Sequence, residues 1–188
     1  MNPITHFLLS WVVADAGAMS RRDRAIVTLA GIAPDLDAAG IVAEILTRDS
    51  ERPLLWWSDY HHVLGHNLAF GVVVTAVSFG LATRRWKTAA LACLTFHLHL
   101  LCDVLGARGP DGYQWPIPYF FPFSTEWQWT WDGQWELNAW PNFVITGIAL
   151  LIMFYWAWRK GYSPLEMVSA SADTAFVETL RRRVQVSR

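Results

Sequence analysis

Tyr60-His61-His62-Val63-Leu64-Gly65-His66 opens the stretch on which the fold turns, and His97-Leu98-His99-Leu100-Leu101-Cys102-Asp103 closes it. Five of the six histidines of the chain lie inside it. Between the clusters run an apolar segment without charge (Leu68 to Thr83), a basic turn (Arg84-Arg85-Trp86-Lys87) and a second apolar segment (Thr88 to Leu105). The pattern predicts two helices side by side, each with metal-ligand residue types at one end. Residues four apart share a helix face, which is the spacing of His62 with His66 and of His99 with Asp103. His61 and His66, five apart, can meet on one ion if the helix begins between them. His97, two residues from His99, points to another face and is read as a packing or supporting group.

The rest of the chain reads as membrane material. Apolar residues make up 53% and charged residues 16%, against a usual charged share of about 25%. The 12 tryptophans suit a membrane–water interface. A net charge of −1 carries no electrostatic signature of nucleic-acid binding. Cys93 and Cys102 fall in one apolar run and read as packing residues rather than a disulfide. The N-terminus shows neither the basic region nor the cleavage pattern of a secretory signal and is kept in the mature chain.

Working outward, Pro3 to Ala18 is apolar apart from His6 and Asp15, with Asn2 or Thr5 placed to cap a helix. Asp15, beside the basic turn Ser20 to Arg24, reads as an ordinary polar residue. Ala25 to Ala33 is apolar, and Pro34 should break the helix at Ala33. Leu68 to Thr83 is at the short end for a span, which takes roughly 17–25 residues. Gly106 to Asn142 is rich in Gly, Pro and aromatics, and the alternation of Trp127, Trp129 and Trp131 around Asp132-Gly133 predicts a tight hairpin. Phe143 to Trp158 is the last apolar helix. From Ser163 the chain is amphipathic and basic, ending in Arg181-Arg182-Arg183, suited to a cytoplasmic surface.

The fold expected is therefore all-α: a polytopic membrane helical bundle of about three to five embedded helices, with a Trp-rich external loop (106–142) holding a small β-hairpin. Residues 1–162 form the membrane-embedded domain and 163–188 a cytoplasmic tail. With the basic turns inside, only Arg48, Arg52 and Arg108 fall outside, so 12 of the 15 Lys and Arg are inside, as the positive-inside rule expects. That topology places the histidine clusters on the external, periplasmic side of a multi-pass inner membrane protein.

Ionisable residues inside apolar segments default to function. His6, Asp35, Asp37, His61, His66, His99 and Asp103 make a mixed nitrogen and oxygen donor set with no lysine or arginine among them. Asp35 and Asp37 would repel each other if buried and ionised, a cost that a divalent cation removes; as plain helix-start carboxylates they would instead be favoured by the helix dipole. The donor set fits zinc best, with manganese and iron compatible, and its size allows one or two ions.

These residues resemble bacterial membrane-bound metal-dependent hydrolases, a group with a distant likeness to zinc-dependent phospholipase C. The resemblance covers roughly Pro3 to Ser124. It is carried by Thr5-His6, by Pro34-Asp35-Leu36-Asp37, by His61 to Asn67 in the place of a His-Arg-Gly-x-Thr-His-Ser element, and by His99 to Asp103 followed by Gly106. Pro116-Ile117-Pro118 and Pro122-Phe123-Ser124 match later elements. The chain departs from the pattern at His62-Val63, where Arg-Gly is usual, and at Gly65, where Thr is common; His62 takes the place of a phosphate-binding or supporting arginine.

The expected function is a metal-dependent hydrolase. A metal-activated water attacks a phosphoester or related bond of a lipid or lipid-linked substrate, with Asp35, Asp37 and His62 as catalytic candidates. The Trp-rich loop either covers the headgroup or forms a plain interfacial aromatic belt. Two other classes use the same residues without hydrolysis: a metal transporter or sensor, and a structural membrane protein. A transporter needs ligands along a path, whereas these collect toward one side.

Overall fold

A computed structural model describes residues 1–186. Ser187 and Arg188, the last two residues of the expected tail, lie outside the described residues. Among the described residues eight α-helices carry the fold: α1 (Pro3–Ala16), α2 (Arg21–Ala30), α3 (Gly40–Thr47), α4 (Trp56–Tyr60), α5 (Leu68–Leu81), α6 (Arg85–Gly106), α7 (Trp140–Lys160) and α8 (Ala170–Val186). Short 3-10 helices cover Pro34–Ala39 and Pro164–Met167.

Local chemistry sets most of these bounds. The Asn2 side chain accepts from the Thr5 amide and Pro3 sits in the first turn, fixing the start of α1. Ser20 caps α2 through the Asp23 amide, and Asn67 caps α5 through that of Phe70. Gly161, in the left-handed region at φ 85, closes α7 behind Arg159 and Lys160. α2 stops at Ala30, ahead of the break expected at Ala33. A Cβ on Gly31 would lie 1.9 Å from Ser10 Oγ and 3.1 Å from Thr95 Cβ, so the chain crosses here between α1 and α6 at a distance only glycine permits.

The pair α5/α6 packs as the histidine clusters predict, and α2 fills the angle between α1, α5 and α6. Gly71 faces the Phe96 ring, where an added Cβ would come within 2.8 Å. Around it Phe96, Leu100 and Ile117 form one buried cluster, flanked by Phe70, Val104 and Trp129. Leu8 and Trp11 of α1 meet Ala149 and Met153 of α7 in another, and Ala14, Met19 and Val27 in a third. Away from these contacts, Val72, Val77, Leu151 and Tyr155 are exposed, the outward-facing apolar surface a bilayer would cover.

Two helices, α6 and α7, are long and apolar enough to cross a membrane. At 1.5 Å per residue they reach about 33 and 31 Å, against a hydrocarbon core of about 30 Å. α2 with residues 34–47 passes as a third only as a pair bent by 62° at its break. The span count is thus two, or three with the bent pair, which meets only the low end of the three to five expected. α1 and α5, with 14 residues each, reach only about 21 Å.

The hairpin expected at Asp132-Gly133 does not form; among the described residues there is no β-strand, only isolated bridges pairing Arg108 with Glu136 and Ile117 with Trp129. The turn itself is present, since the Gln134 amide donates to Trp131 O at 2.9 Å and the Trp131 and Trp135 rings meet edge-on at 6.1 Å. Its flanks find other partners. Trp129 exchanges both backbone bonds with Ile117, and Trp135 bonds to Leu105 O and to the Arg108 amide. Long-range pairing with the chain leaving α6 outcompetes the local ladder.

Candidate metal centre

The ligand-type residues of four chain segments converge at the ends of α5 and α6. His6, on the second turn of α1, stacks on His99 with ring centroids 3.7 Å apart. Its Nε2 donates to Asp103 Oδ1 at 3.0 Å, and its Nδ1 is buried with no hydrogen-bond partner. The Met1 amino group also contacts Asp103. His99 Nδ1 lies 2.8 Å from Gly31 O. A carbonyl can only accept, so Nδ1 carries the proton and Nε2 presents a lone pair to the centre. His66 is oriented in the same way: its Nδ1 bonds Asp37 Oδ2 at 3.0 Å and its Nε2 points inward.

The inward atoms are close. His66 Nε2 and His99 Nε2 are 3.2 Å apart, and Asp103 Oδ2 lies 3.0 Å from the second and 3.4 Å from the first. Asp103 Oδ2 is nevertheless buried without a hydrogen bond, as is Asp35 Oδ2, although Asp35 Oδ1 is 3.6 Å from His99 Nε2. Donors held at about 2.0–2.1 Å from a tetrahedral ion stand about 3.3 Å from one another, the separation seen here. Two groups satisfy the spacing for an ion: His6, Asp35 and His99, and His62, His66 and Asp103. They abut along His66, His99 and Asp103. Nitrogen and carboxylate donors in this mixture suit zinc, with iron or manganese compatible.

Asp37 and His61 sit one layer out. Asp37 accepts from His61 Nδ1 at 2.8 Å, from His66 Nδ1 and from the Gly65 amide at 2.9 Å, so both oxygens serve the loop that presents His66. Neither residue enters the two ion-sized groups. Carboxylates behind ligating histidines fix the tautomer and raise ligand basicity. His97 lies apart, with Nδ1 on Cys93 O at 2.8 Å and Nε2 on the Tyr119 hydroxyl at 2.9 Å.

The expected helical face for His62 and His66 is not how they meet. α5 begins only at Leu68, and residues 61–67 form an irregular loop. Its turn is made by the Val63 and Leu64 amides on Tyr60 O, and Asn67 Nδ2 ties it back to Val63 O and Leu64 O. His62 adopts φ 68, the left-handed region that few residues with a Cβ enter. The turn brings its ring to 4.4 Å from that of His66. A Cβ on Gly65 would lie 2.1 Å from Pro34 O, which excludes the threonine common at this place in the resembling hydrolases.

Burial, with the neighbouring His66, lowers the His62 pKa and keeps the imidazole neutral. Burial works against His66 too, but the Asp103 and Asp37 carboxylates outweigh it and raise that histidine to about 9. The centre therefore attracts positive charge. Among the described residues no lysine or arginine pairs with Asp35, Asp37 or Asp103; the Met1 amino group pairs with Asp103, and histidines face all three.

Sequence reasoning missed several contributors. Gly31 offers only a backbone carbonyl, which no residue-type signal reveals. Gln134 Nε2 holds Asp103 O at 2.8 Å from within the aromatic loop. Trp57 and Trp115 wall the outer side, with Trp57 stacked 5.4 Å from His61 and Trp115 5.1 Å from His62; their indole rings were legible only as part of a general aromatic excess.

No curated protein and no solved structure matches the chain. Residues 1–180 match the family model described as YdjM inner membrane protein, and the chain belongs to that family.

Proposed function

From its membership of an inner membrane family and the metal-ready set buried at the ends of α5 and α6, we propose that the protein is a membrane-bound metal-dependent hydrolase. Its substrate class is a phosphoester or related bond of a lipid or lipid-linked molecule. The observation that carries the reading is a cluster of His6, His62, His66, His99, Asp35 and Asp103 that brings ligand atoms within 4.8 Å of one another in two groups, with Asp35 Oδ2 and Asp103 Oδ2 buried and without hydrogen-bond partners. Bound zinc, one or two ions, would supply a water of near-neutral pKa and polarise the scissile group.

The chain's own residues divide the work. Asp103 is held on both sides, by His6 and by Gln134 through its carbonyl, and is assigned to the group with His62 and His66. Asp35 is the most accessible of the three carboxylates, with its side chain 18% exposed against 2% for Asp37 and Asp103, and is assigned the proton-accepting role. Asp37 positions His61 and His66. His62 stands where the resembling hydrolases carry arginine and is assigned to the substrate side, beneath Trp115. The basic residues of Arg84 to Lys87, Arg159-Lys160 and the start of α2 lie at the ends remote from the centre, which favours a periplasmic centre and a cytoplasmic C-terminus.

Purified protein assayed for metal by mass spectrometry, and for turnover on a panel of phosphodiesters beside Asp35→Ala, tests the reading. Bound metal with turnover lost in the variant is expected. Absence of metal, with behaviour unchanged by chelation, would leave a structural membrane protein. Metal without turnover would favour a transporter or sensor, and equal turnover by Asp35→Ala would remove Asp35 from the chemistry.

A further inference from the structure

The end of the molecule opposite the metal centre carries a surplus of cations. The carboxylates there are all engaged: Asp15 by Lys160 and Tyr162, Asp23 by the Thr83 and Arg84 amides, Glu166 by Arg24, Asp173 by Ser163 and Glu178 by Arg182. Among the described residues, Arg21, Arg22, Arg85, Lys87, Arg159 and Arg181 pair with no carboxylate. All of them are exposed. Most such residues form a solvated face, but two of these are held in place by the fold.

Arg159 and Arg181 meet at one residue, Trp158. Arg181, on α8, donates from Nε to Trp158 O at 3.0 Å and so satisfies a carbonyl in the last turn of α7. Its two terminal nitrogens lie over Gly161, where a Cβ would come within 3.0 Å of Nη2 and 3.6 Å of Nη1. Glycine at that turn gives the guanidinium its seat, and Nε alone does the capping. Arg159 Cζ stands 5.7 Å from the centre of the Trp158 ring. A guanidinium is a planar fork that matches phosphate oxygens, and a fork already held in position loses less entropy on binding. Trp158 also ends an apolar stripe. Leu151, Tyr155 and Trp158 are spaced four and three apart and share one face of α7. Leu151 and Tyr155 are exposed, and the Tyr155 and Trp158 rings lie 6.2 Å apart.

The stripe runs about 10 Å down a helix long enough to cross a membrane, and the two guanidinia sit at its end. Apolar surface leading up to fixed cations has the polarity of an anionic phospholipid. We propose that the corner of α7 and α8 binds one such lipid, its headgroup phosphate held by Arg159 and Arg181 and an acyl chain lying along Leu151, Tyr155 and Trp158. The unpaired cations around the corner select a net negative headgroup, since a zwitterionic one brings its own ammonium. The site is separate from the metal centre and requires nothing of the hydrolase reading.

The full chain in detergent, titrated with phosphatidylglycerol and read by native mass spectrometry, tests the site. One basic residue at an anionic surface counts for about fivefold in binding. Arg159→Gln/Arg181→Gln should therefore raise the apparent Kd for the first lipid about 25-fold. Arg21→Gln/Arg22→Gln removes the same charge from exposed positions at the same end and should change it less than about threefold, because separated exposed charges are screened. Arg159→Lys/Arg181→Lys keeps both charges and should bind within about fivefold of the wild type. Phosphatidylcholine should bind the wild type at least about tenfold more weakly than phosphatidylglycerol. An equal loss in both glutamine variants would leave only a diffuse positive field, and equal binding of the two lipids would leave the acyl chain alone. Either result overturns the site, as does a lysine variant as weak as its glutamine counterpart.

Discussion

Two clusters of buried charge lie at opposite ends of the molecule, and they are built on opposite rules. At the Arg24 end, Asp15 receives Lys160 at 2.6 Å and the Tyr162 hydroxyl at 2.7 Å, while Arg24 donates to Glu166 at 2.7 Å and lies 4.0 Å over the Tyr162 ring. Two permanent cations face two carboxylates. Burial and the hydrogen bond to Asp15 push the Tyr162 phenol up to about 12, so it stays a neutral donor. At the α5/α6 end three carboxylates face histidines and one amino group, that of Met1 on Asp103, and His6 Nδ1, His62 Nδ1, Asp35 Oδ2 and Asp103 Oδ2 are buried without hydrogen-bond partners. Buried ionisable residues in a membrane protein invite a functional reading. The contrast shows that burial alone does not license it: a satisfied cluster is a clamp, whereas one with unpartnered donor and acceptor atoms has room for the cation we propose.

The contrast breaks most sharply at the ligands. His99→Ala is expected to cost at least about 100-fold in zinc affinity, and Asp37→Asn, which loosens His66 from behind, about 10–100-fold; titration of the apo-protein with zinc measures both. Asp15→Asn should leave zinc affinity unchanged, and a matching loss there would erase the distinction between the clusters. Asp35→Ala should lower turnover about 10²–10⁴-fold, as loss of a general base does, in initial-rate assays at saturating metal.

At the other end the sign reverses. Arg24→Ala strands Glu166 and should destabilise the fold by about 3–5 kcal/mol, seen as a lower melting temperature in detergent while zinc stoichiometry below the transition is retained. The smallest effect is expected from Gly65→Ala. Its Cβ must push Pro34 away, at about 1–3 kcal/mol, moving Asp35 and Asp37 together; a zinc affinity that does not fall would show that the loop yields without disturbing them.

How legible these features were follows from the range of the interactions behind them. The apolar runs that became α6 and α7 carry their own signal, and so do the caps at Asn2, Ser20 and Asn67. The candidate residues His6, Asp35, His66, His99 and Asp103 were readable because ionisable groups in apolar runs are few. The division of labour among them was not. Asp37 faces the loop because Gly65 allows Pro34 to approach, and His99 is oriented by Gly31 O because α2 ends four residues before the proline. Both facts depend on contacts between distant segments. The same reason defeated the hairpin, whose tryptophans pair with Leu105, Arg108 and Ile117 rather than across their own turn.

α5 has a mechanical consequence. Its 14 residues cover about 21 Å beside α6 at about 33 Å, so the bilayer next to it meets a helix about a third too short. Such mismatch is relieved by thinning the membrane locally, at a fraction of a kcal/mol per Å. Thinning draws the headgroup layer down along the α5 side, toward the loop that carries His61, His62 and His66. On the proposed reading, the short helix would set the depth at which lipid phosphates and the histidine loop share one plane, and membrane thickness would act on that encounter.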